Sequence, residues 1–251
     1  MVEELDLLYA SLSLTEKENE EVLVESSMVE EVLAKGKHCL IMCLLTRKHY
    51  NHEAFKATMK KVWRPVYGIK FRDLNTVFTL IEFEDEGDKS KVERDGMWHF
   101  DKQLILLKPF EGSMQISSIQ IKHVAFWVQI HDLPLMAQNY YVGKRVGSML
   151  GEVFEIDLEK GEVEWGEYIR IRVMVDITQP LQRRKWLKIG DGDSCWVRFS
   201  YERLPNLCYF CGVLGHTVQE CEKSPVGESS EQLQYGEWMR AAFGSNRREG
   251  T

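Results

Sequence analysis

Cys208, Cys211, His216 and Cys221 stand in the segment LCYFCGVLGHTVQEC at 207–221, a C-x2-C-x4-H-x4-C pattern that can wrap a short loop around one tetrahedral metal ion. Three thiolates and a neutral imidazole suit zinc, and four protein ligands leave no open position for water. The pattern predicts one structural zinc and no zinc catalysis. Gly212 and Gly215 fall where so tight a loop needs positive φ or close backbone approach. A segment this short buries no core of its own, so the metal must hold it together.

The remaining candidates are cations and flat rings. Residues 47–72 carry Arg47, Lys48, Lys56, Lys60, Lys61, Arg64, Lys70 and Arg72 against Glu53 alone, interleaved with Tyr50, Phe55, Trp63 and Tyr67. Such a cluster can grip phosphates or simply face water. Arg183, Arg184 and Lys185, beside Trp186, form a smaller group of the same kind. Tyr209 stands where a knuckle that binds single strands stacks a base. Phosphate contacts must come from outside the knuckle, because 206–223 holds only Lys223 as a cation, opposed by Glu220 and Glu222.

No enzymatic constellation is present: there is no nucleophile elbow, no phosphate-cradling glycine loop and no paired-metal acid cluster. The acidic run Glu82, Glu84, Asp85, Glu86 and Asp88 reads as a strand end and helix cap facing water. The expectation is a non-enzymatic protein without a small-molecule substrate.

The elements that must position these residues follow from periodicity. Residues 39–46 read as a buried strand, and Asn51 caps a helix whose Phe55, Met59, Val62 and Trp63 share one face. Strands at 66–72 and 77–83, a helix at 88–95 ended by Gly96, and a strand at 103–108 complete the order βαββαβ. That order predicts an α+β, ferredoxin-like or RRM-like domain over 36–112. On such a sheet the central strands need exposed aromatics to stack bases. Phe78 qualifies, while Leu80 and Ile41 occupy positions where further aromatics would stand.

A second small α+β unit spans 113–200. It holds a strand at 124–130, a helix after Pro134 presenting Val142, Val146, Met149 and Leu150, strands at 153–158 and 168–177, and a hairpin at 186–200 turning at 190–193. Gly143 and Gly147 on that helix predict close packing on the sheet. The knuckle occupies 201–224. The tail, 225–251, includes a short amphipathic helix at 231–243 with Leu233, Trp238, Met239 and Ala242, expected to pack back on the protein.

The 251 residues, 44% of them hydrophobic, suffice for a real core. The longest apolar run, 39–45, is too short to span a membrane, and the acidic N-terminus lacks signal-peptide features. An intracellular location, nucleus or cytoplasm, is expected. Cys39, Cys43 and Cys195 read as reduced core thiols. The net charge of −7 is uneven: residues 1–35 carry ten acids and two lysines, which is −8, so 36–251 sum to +1. That arm is expected to be partly disordered, with Ser13 or Thr15 in the segment LSLTE at 12–16 able to cap a turn.

The segment YERLP at 201–205 followed by the knuckle, together with LSLTE at 12–16, WVQIHDLP at 127–134, VDITQPL at 175–181 and YGEWMR at 235–240, resembles a plant family. It joins the domain of unknown function 4283 to a CCHC zinc knuckle and is similar to first-open-reading-frame proteins of LINE-type (non-LTR) retrotransposons. The resemblance implies nucleic-acid binding, RNA ahead of DNA, with zinc on the four knuckle residues. A protein-interaction or self-association module, its knuckle purely structural, is the competing expectation.

Overall fold

The computed structural model describes residues 13, 15–161, 165–192, 194–223 and 233–241. Residues 1–35 and 36–251 are two compact units. In the first unit a turn at Thr15 is closed by Glu18, whose carboxylate accepts from the Thr15 amide and hydroxyl at 2.7 Å. Helix α1 (Ser26–Gly36) then occupies a stretch expected to be partly disordered. It leaves Met28, Val32 and Leu33 exposed.

Two antiparallel sheets build the larger unit. The first has strands β1 (Cys39–Leu45), β2 (Ile69–Asp73), β3 (Thr79–Phe83), β4 (His99–Phe100) and β5 (Gln103–Pro109), in the order β2-β3-β1-β5-β4. Helices α2 (His52–Trp63) and α3 (Glu86–Asp95) supply the two crossovers, so the expected βαββαβ order is present, extended by a β4–β5 hairpin. Asn51 Oδ1 caps α2 by accepting from Ala54 N at 3.0 Å. Phe55, Met59 and Trp63 of α2 pack with Leu40, Met42, Leu44, Ile81 and Phe83 on one face of the sheet. Val62, expected on that face, is exposed.

The second sheet repeats this plan. Strands β6 (His123–His131), β7 (Glu152–Ile156), β8 (Tyr168–Asp176), β9 (Arg184–Lys188) and β10 (Ser194–Tyr201) run in the order β7-β8-β6-β10-β9. Matching β6, β7, β8 and β10 to β1, β2, β3 and β5 gives the same neighbours, so residues 123–201 form a ferredoxin-like sheet as well. Its first crossover is α4 (Tyr140–Gly147), capped by Asn139 and ending before Met149 and Leu150, which periodicity places on it. A Cβ on Gly147 would stand 2.7 Å from Ile171 Cδ1, so glycine is what lets α4 lie on β8. The second crossover has no helix: 177–183 runs as irregular chain directly into β9.

β1, CLIMCLL, is almost wholly buried on both faces, whereas β8, YIRIRVMVD, alternates between buried and half-exposed positions. The reason for the difference is what covers each sheet. Cys43, Leu104 and Leu106 on the helix-free face of the first sheet share one cluster with Phe126, Val128 and Ile130 of β6 and with Leu207 and Leu214 of the knuckle. The face that an RRM keeps open for bases is therefore closed here.

Candidate metal centre and basic aromatic edge

The knuckle backbone follows from its two glycines. Gly212 has φ +75° and Gly215 φ +87°, a region β-carbons avoid. Side chains are also excluded by neighbours: a Cβ on Gly212 would meet the Tyr235 ring at 2.2 Å, and one on Gly215 would meet Leu45 Cγ at 2.8 Å. The loop is thus clasped between the tail and the end of β1.

Within it, the ligand atoms of Cys208, Cys211, His216 and Cys221 all lie within 4.8 Å of one another. Cys211 Sγ and His216 Nε2 are 3.3 Å apart, close to the ligand–ligand edge of about 3.5 Å expected around tetrahedral zinc. The Cys211 amide donates to Cys208 Sγ at 3.5 Å, a bond that favours the thiolate. Three thiolates and one imidazole converging from a loop of few residues fit a zinc ion held for structure. Cys43, by contrast, is a core thiol whose burial pushes its pKa up to about 12.

The knuckle is locked on the protein by charge as well as by packing. Glu220 accepts from the Thr217 amide at 2.8 Å and hydroxyl at 2.9 Å, a capping box on the last knuckle turn. The same carboxylate lies 2.9 Å from Lys48 Nζ, and these contacts, Lys48 foremost, hold its pKa down to about 2. Arg47 Nη1 reaches Glu222 Oε1 at 2.8 Å and the Glu220 carbonyl at 3.1 Å. Both cations thus face the knuckle.

The rest of the 47–72 cluster divides in the same way. Lys56 lies between Asp73 (2.8 Å) and Glu53 (3.2 Å), Lys70 pairs with Glu84, and Arg72 with Glu82. Lys60 sits 5.9 Å over the Phe71 ring. Among the described residues no carboxylate pairs with Lys60, Lys61 or Arg64, which lie exposed along α2 and its C-cap. The acidic run is structural: Asp85 caps α3, and buried Asp88 accepts from the Val66 and Tyr67 amides.

Tyr209 is half-buried against the large cluster, and its hydroxyl is bonded to Glu237. Phe78 is likewise partly buried against that cluster. The tail forms a 3-10 turn, Glu237–Met239, where a helix was expected; the outer parts of 231–243 lie outside the described residues. It does pack back: Met239 is fully buried, the Tyr235 amide donates to Tyr209 O at 3.1 Å, and the Ala241 amide donates to Tyr201 O at 2.9 Å. Arg183 is drawn into the same contact, donating to the Gln234 carbonyl at 2.8 Å and lying 4.9 Å over the Tyr235 ring.

Arg184 and Trp186 of β9 stand directly opposite Arg198 and Trp196 of β10, so all four share one face. Lys185 is on the other. The Trp186 and Trp196 rings are 4.5 Å apart, and the Arg184 guanidinium lies 4.5 Å from the Trp196 ring centroid. Sequence reading singles out Trp186 and passes over Trp196, Arg198 and the groove they make with Trp238. The signal for them is the period-two alternation of SCWVRFSY, which sets Trp196 and Arg198 opposite buried Val197 and Phe199.

Farther across this face, arginines are already engaged by the protein. Arg170 covers the Trp127 ring at 3.6 Å and makes two bonds to Glu202, at 2.8 and 2.9 Å. Burial would raise the Glu202 carboxyl, but Arg170 and Gln129 hold it below its ordinary value. Arg172 donates to the Arg94 carbonyl of α3 at 3.2 Å. Among the described residues, the β9–β10 edge is where this face combines exposed rings with arginines.

Both families suggested by the sequence match. Residues 32–117 match the domain of unknown function DUF4283, and residues 175–223 match the zinc knuckle family. The uncharacterized protein At4g02000 of Arabidopsis thaliana is 26% identical over 134 residues, which cover 53% of this chain and 42% of that relative. The chain therefore spans less than half of that protein's length. A solved structure of the N-terminal three RNA binding domains of the yeast splicing factor Prp24 aligns over 71% of this chain and 78% of its own, with 10% identity and a TM-score of 0.26.

Proposed function

We propose that this chain, which couples a DUF4283 segment to a CCHC zinc knuckle, is a non-enzymatic protein that binds single-stranded nucleic acid, RNA ahead of DNA. Zinc serves it structurally. The observation that carries the reading is the β9–β10 edge, where arginines and half-exposed tryptophans share one face in a chain of net negative charge. Stacking faces beside phosphate-binding cations are what single-strand recognition requires. Lys60, Lys61 and Arg64 add a second cationic stretch. The motifs shared with LINE-type first-open-reading-frame proteins support a retrotransposon-derived origin. No helix among the described residues is long and apolar enough to cross a membrane.

The test is binding of labelled single-stranded RNA, single-stranded DNA and duplex across a salt series. Single strands should bind most tightly at low salt, with affinity falling as salt rises. A protein without affinity for any of the three at low salt is not a nucleic-acid binder. The competing reading, an assembly module, draws on α1, whose exposed Met28, Val32 and Leu33 lack apolar cover; it predicts concentration-dependent self-association or a protein partner instead.

A further inference from the structure

The β9–β10 edge does not end at the hairpin. A groove of about 470 Å³ lies between it and the tail, lined by Asp132, Arg183, Arg184, Trp196, Arg198 and Trp238. Its rings are half-exposed: Trp196, flanked by the Arg184 guanidinium and the Trp186 ring, keeps 48% of its surface open, and Trp238 47%. Trp186, 53% exposed, continues the apolar surface beside them. We propose that this groove is a base-stacking slot for a single strand, with Trp196 and Trp238 offering ring faces and Arg184 and Arg198 meeting the phosphates. The proposal rests on the nucleic-acid reading above and specifies where that ligand sits.

Charge and shape select the occupant. Three arginines meet one carboxylate, Asp132, which pairs with Arg198 across 3.2 Å. Both partners of that pair are well exposed, so its coupling is weak and a phosphate can replace the carboxylate. Among the described residues no carboxylate pairs with Arg184. Arg183 has its guanidinium committed to Gln234 and Tyr235 and is a positioning residue for the wall. An acidic peptide would satisfy the arginines and leave the indoles wet, whereas a nucleotide strand supplies a flat apolar face with each phosphate. A duplex keeps its bases stacked on one another and cannot offer them.

The slot has one fixed and one tethered wall. Trp196 is on a strand of the sheet. Trp238 is held through buried Met239, through Arg240 bonded to the Leu204 and Pro205 carbonyls, and through Glu237 bonded to Tyr209 of the knuckle. The knuckle would then act on nucleic acid by setting a wall of the slot, without itself stacking a base.

The experiment measures the affinity of the full chain, zinc-loaded, for a short single-stranded RNA, using wild type, Trp196→Ala, Trp238→Ala and the double variant Arg184→Gln/Arg198→Gln. Each tryptophan variant should weaken binding about 5- to 150-fold, corresponding to about 1–3 kcal/mol per stacked base, with the salt slope unchanged. The arginine variant should lower that slope by about 0.7 for each phosphate it no longer neutralises. A sugar–phosphate oligomer without bases should not distinguish the tryptophan variants from wild type. Near-ultraviolet circular dichroism establishes that each variant is folded, and Trp196→Ala, which removes a ring carried by the sheet and leaves the bonds of Met239, Arg240 and Glu237 in place, keeps the test decisive should Trp238→Ala loosen the tail. RNA binding that persists unchanged in folded tryptophan variants overturns the slot and leaves the nucleic-acid reading standing. Wild-type protein that binds no RNA at low salt overturns both.

Discussion

Lys48 Nζ lies 2.9 Å from Glu220 Oε1, so a cation just beyond the first strand of one sheet is held by the carboxylate that caps the last turn of the knuckle. With Arg47 and Glu222 beside it, this contact turns part of a basic cluster toward the protein's own acidic loop.

That arrangement ranks the cations. Replacing Lys60, Lys61 and Arg64 by glutamine should weaken binding to all single strands alike and lower the salt slope by up to about 2, at about 0.7 for each phosphate released from a cation. Replacing Arg47 and Lys48 by glutamine should change the slope less, because both already face carboxylates. Fluorescence anisotropy over a salt series compares the two; an equal or larger effect from Arg47 and Lys48 refutes the ranking.

Zinc removal should loosen the tail together with the knuckle. Elemental analysis should find one zinc per chain. Chelation, or Cys211→Ser, takes away a contribution of about 10–16 kcal/mol to the folding of such loops at neutral pH. Amides of 207–221 and 233–241 should then lose hydrogen-exchange protection in step, since Tyr209 and Gly212 carry contacts to Tyr235 and Glu237. A tail still protected after metal loss contradicts the coupling.

Tyr201→Phe should cost about 1 kcal/mol of stability by chemical denaturation. The ring is buried, and its hydroxyl donates to the Gln182 carbonyl at 2.8 Å, pinning the chain that leads into Arg183 and β9. No measurable loss would mean that the carbonyl finds water in the variant.

Stability should fall as pH drops below about 6.5. Burial, with Arg198 nearby, holds the His131 pKa under its ordinary value, and burial does the same for His99. Between those depressed values and the ordinary one near 6.5, the unfolded chain binds more protons than the folded one. The contribution is therefore complete above the ordinary value and is lost on acidification toward the native one. Urea midpoints at pH 7.5 and 5.5 check the sign, and His131→Gln should flatten the difference; a midpoint that rises on acidification refutes the assignment.

Deleting residues 1–35 removes ten acids and two lysines, and should strengthen RNA binding most at low salt, where long-range repulsion is least screened. Unchanged or weaker binding would show that the arm does not oppose the ligand.

Legible in the residues alone were the set Cys208, Cys211, His216 and Cys221 with its glycines, the Asn51 cap and the βαββαβ order over residues 39–109. These are local: they depend on ligand spacing, backbone preference and periodicity within a few residues, so they are written where they act. Packing between distant stretches is what leaves Tyr209 and Phe78 partly buried, brings Lys48 to the carboxylate of Glu220, and sets Trp196 and Trp238 around one groove. Those outcomes depend on which apolar face covers which. The helix-free face of the first sheet is apolar like its helix-covered face, and covering its Leu45 end with the knuckle at Gly215 removes apolar surface from water. Residue spacing cannot express that choice, because Cys43, Phe126 and Leu207 come to one cluster from three separate stretches of the chain.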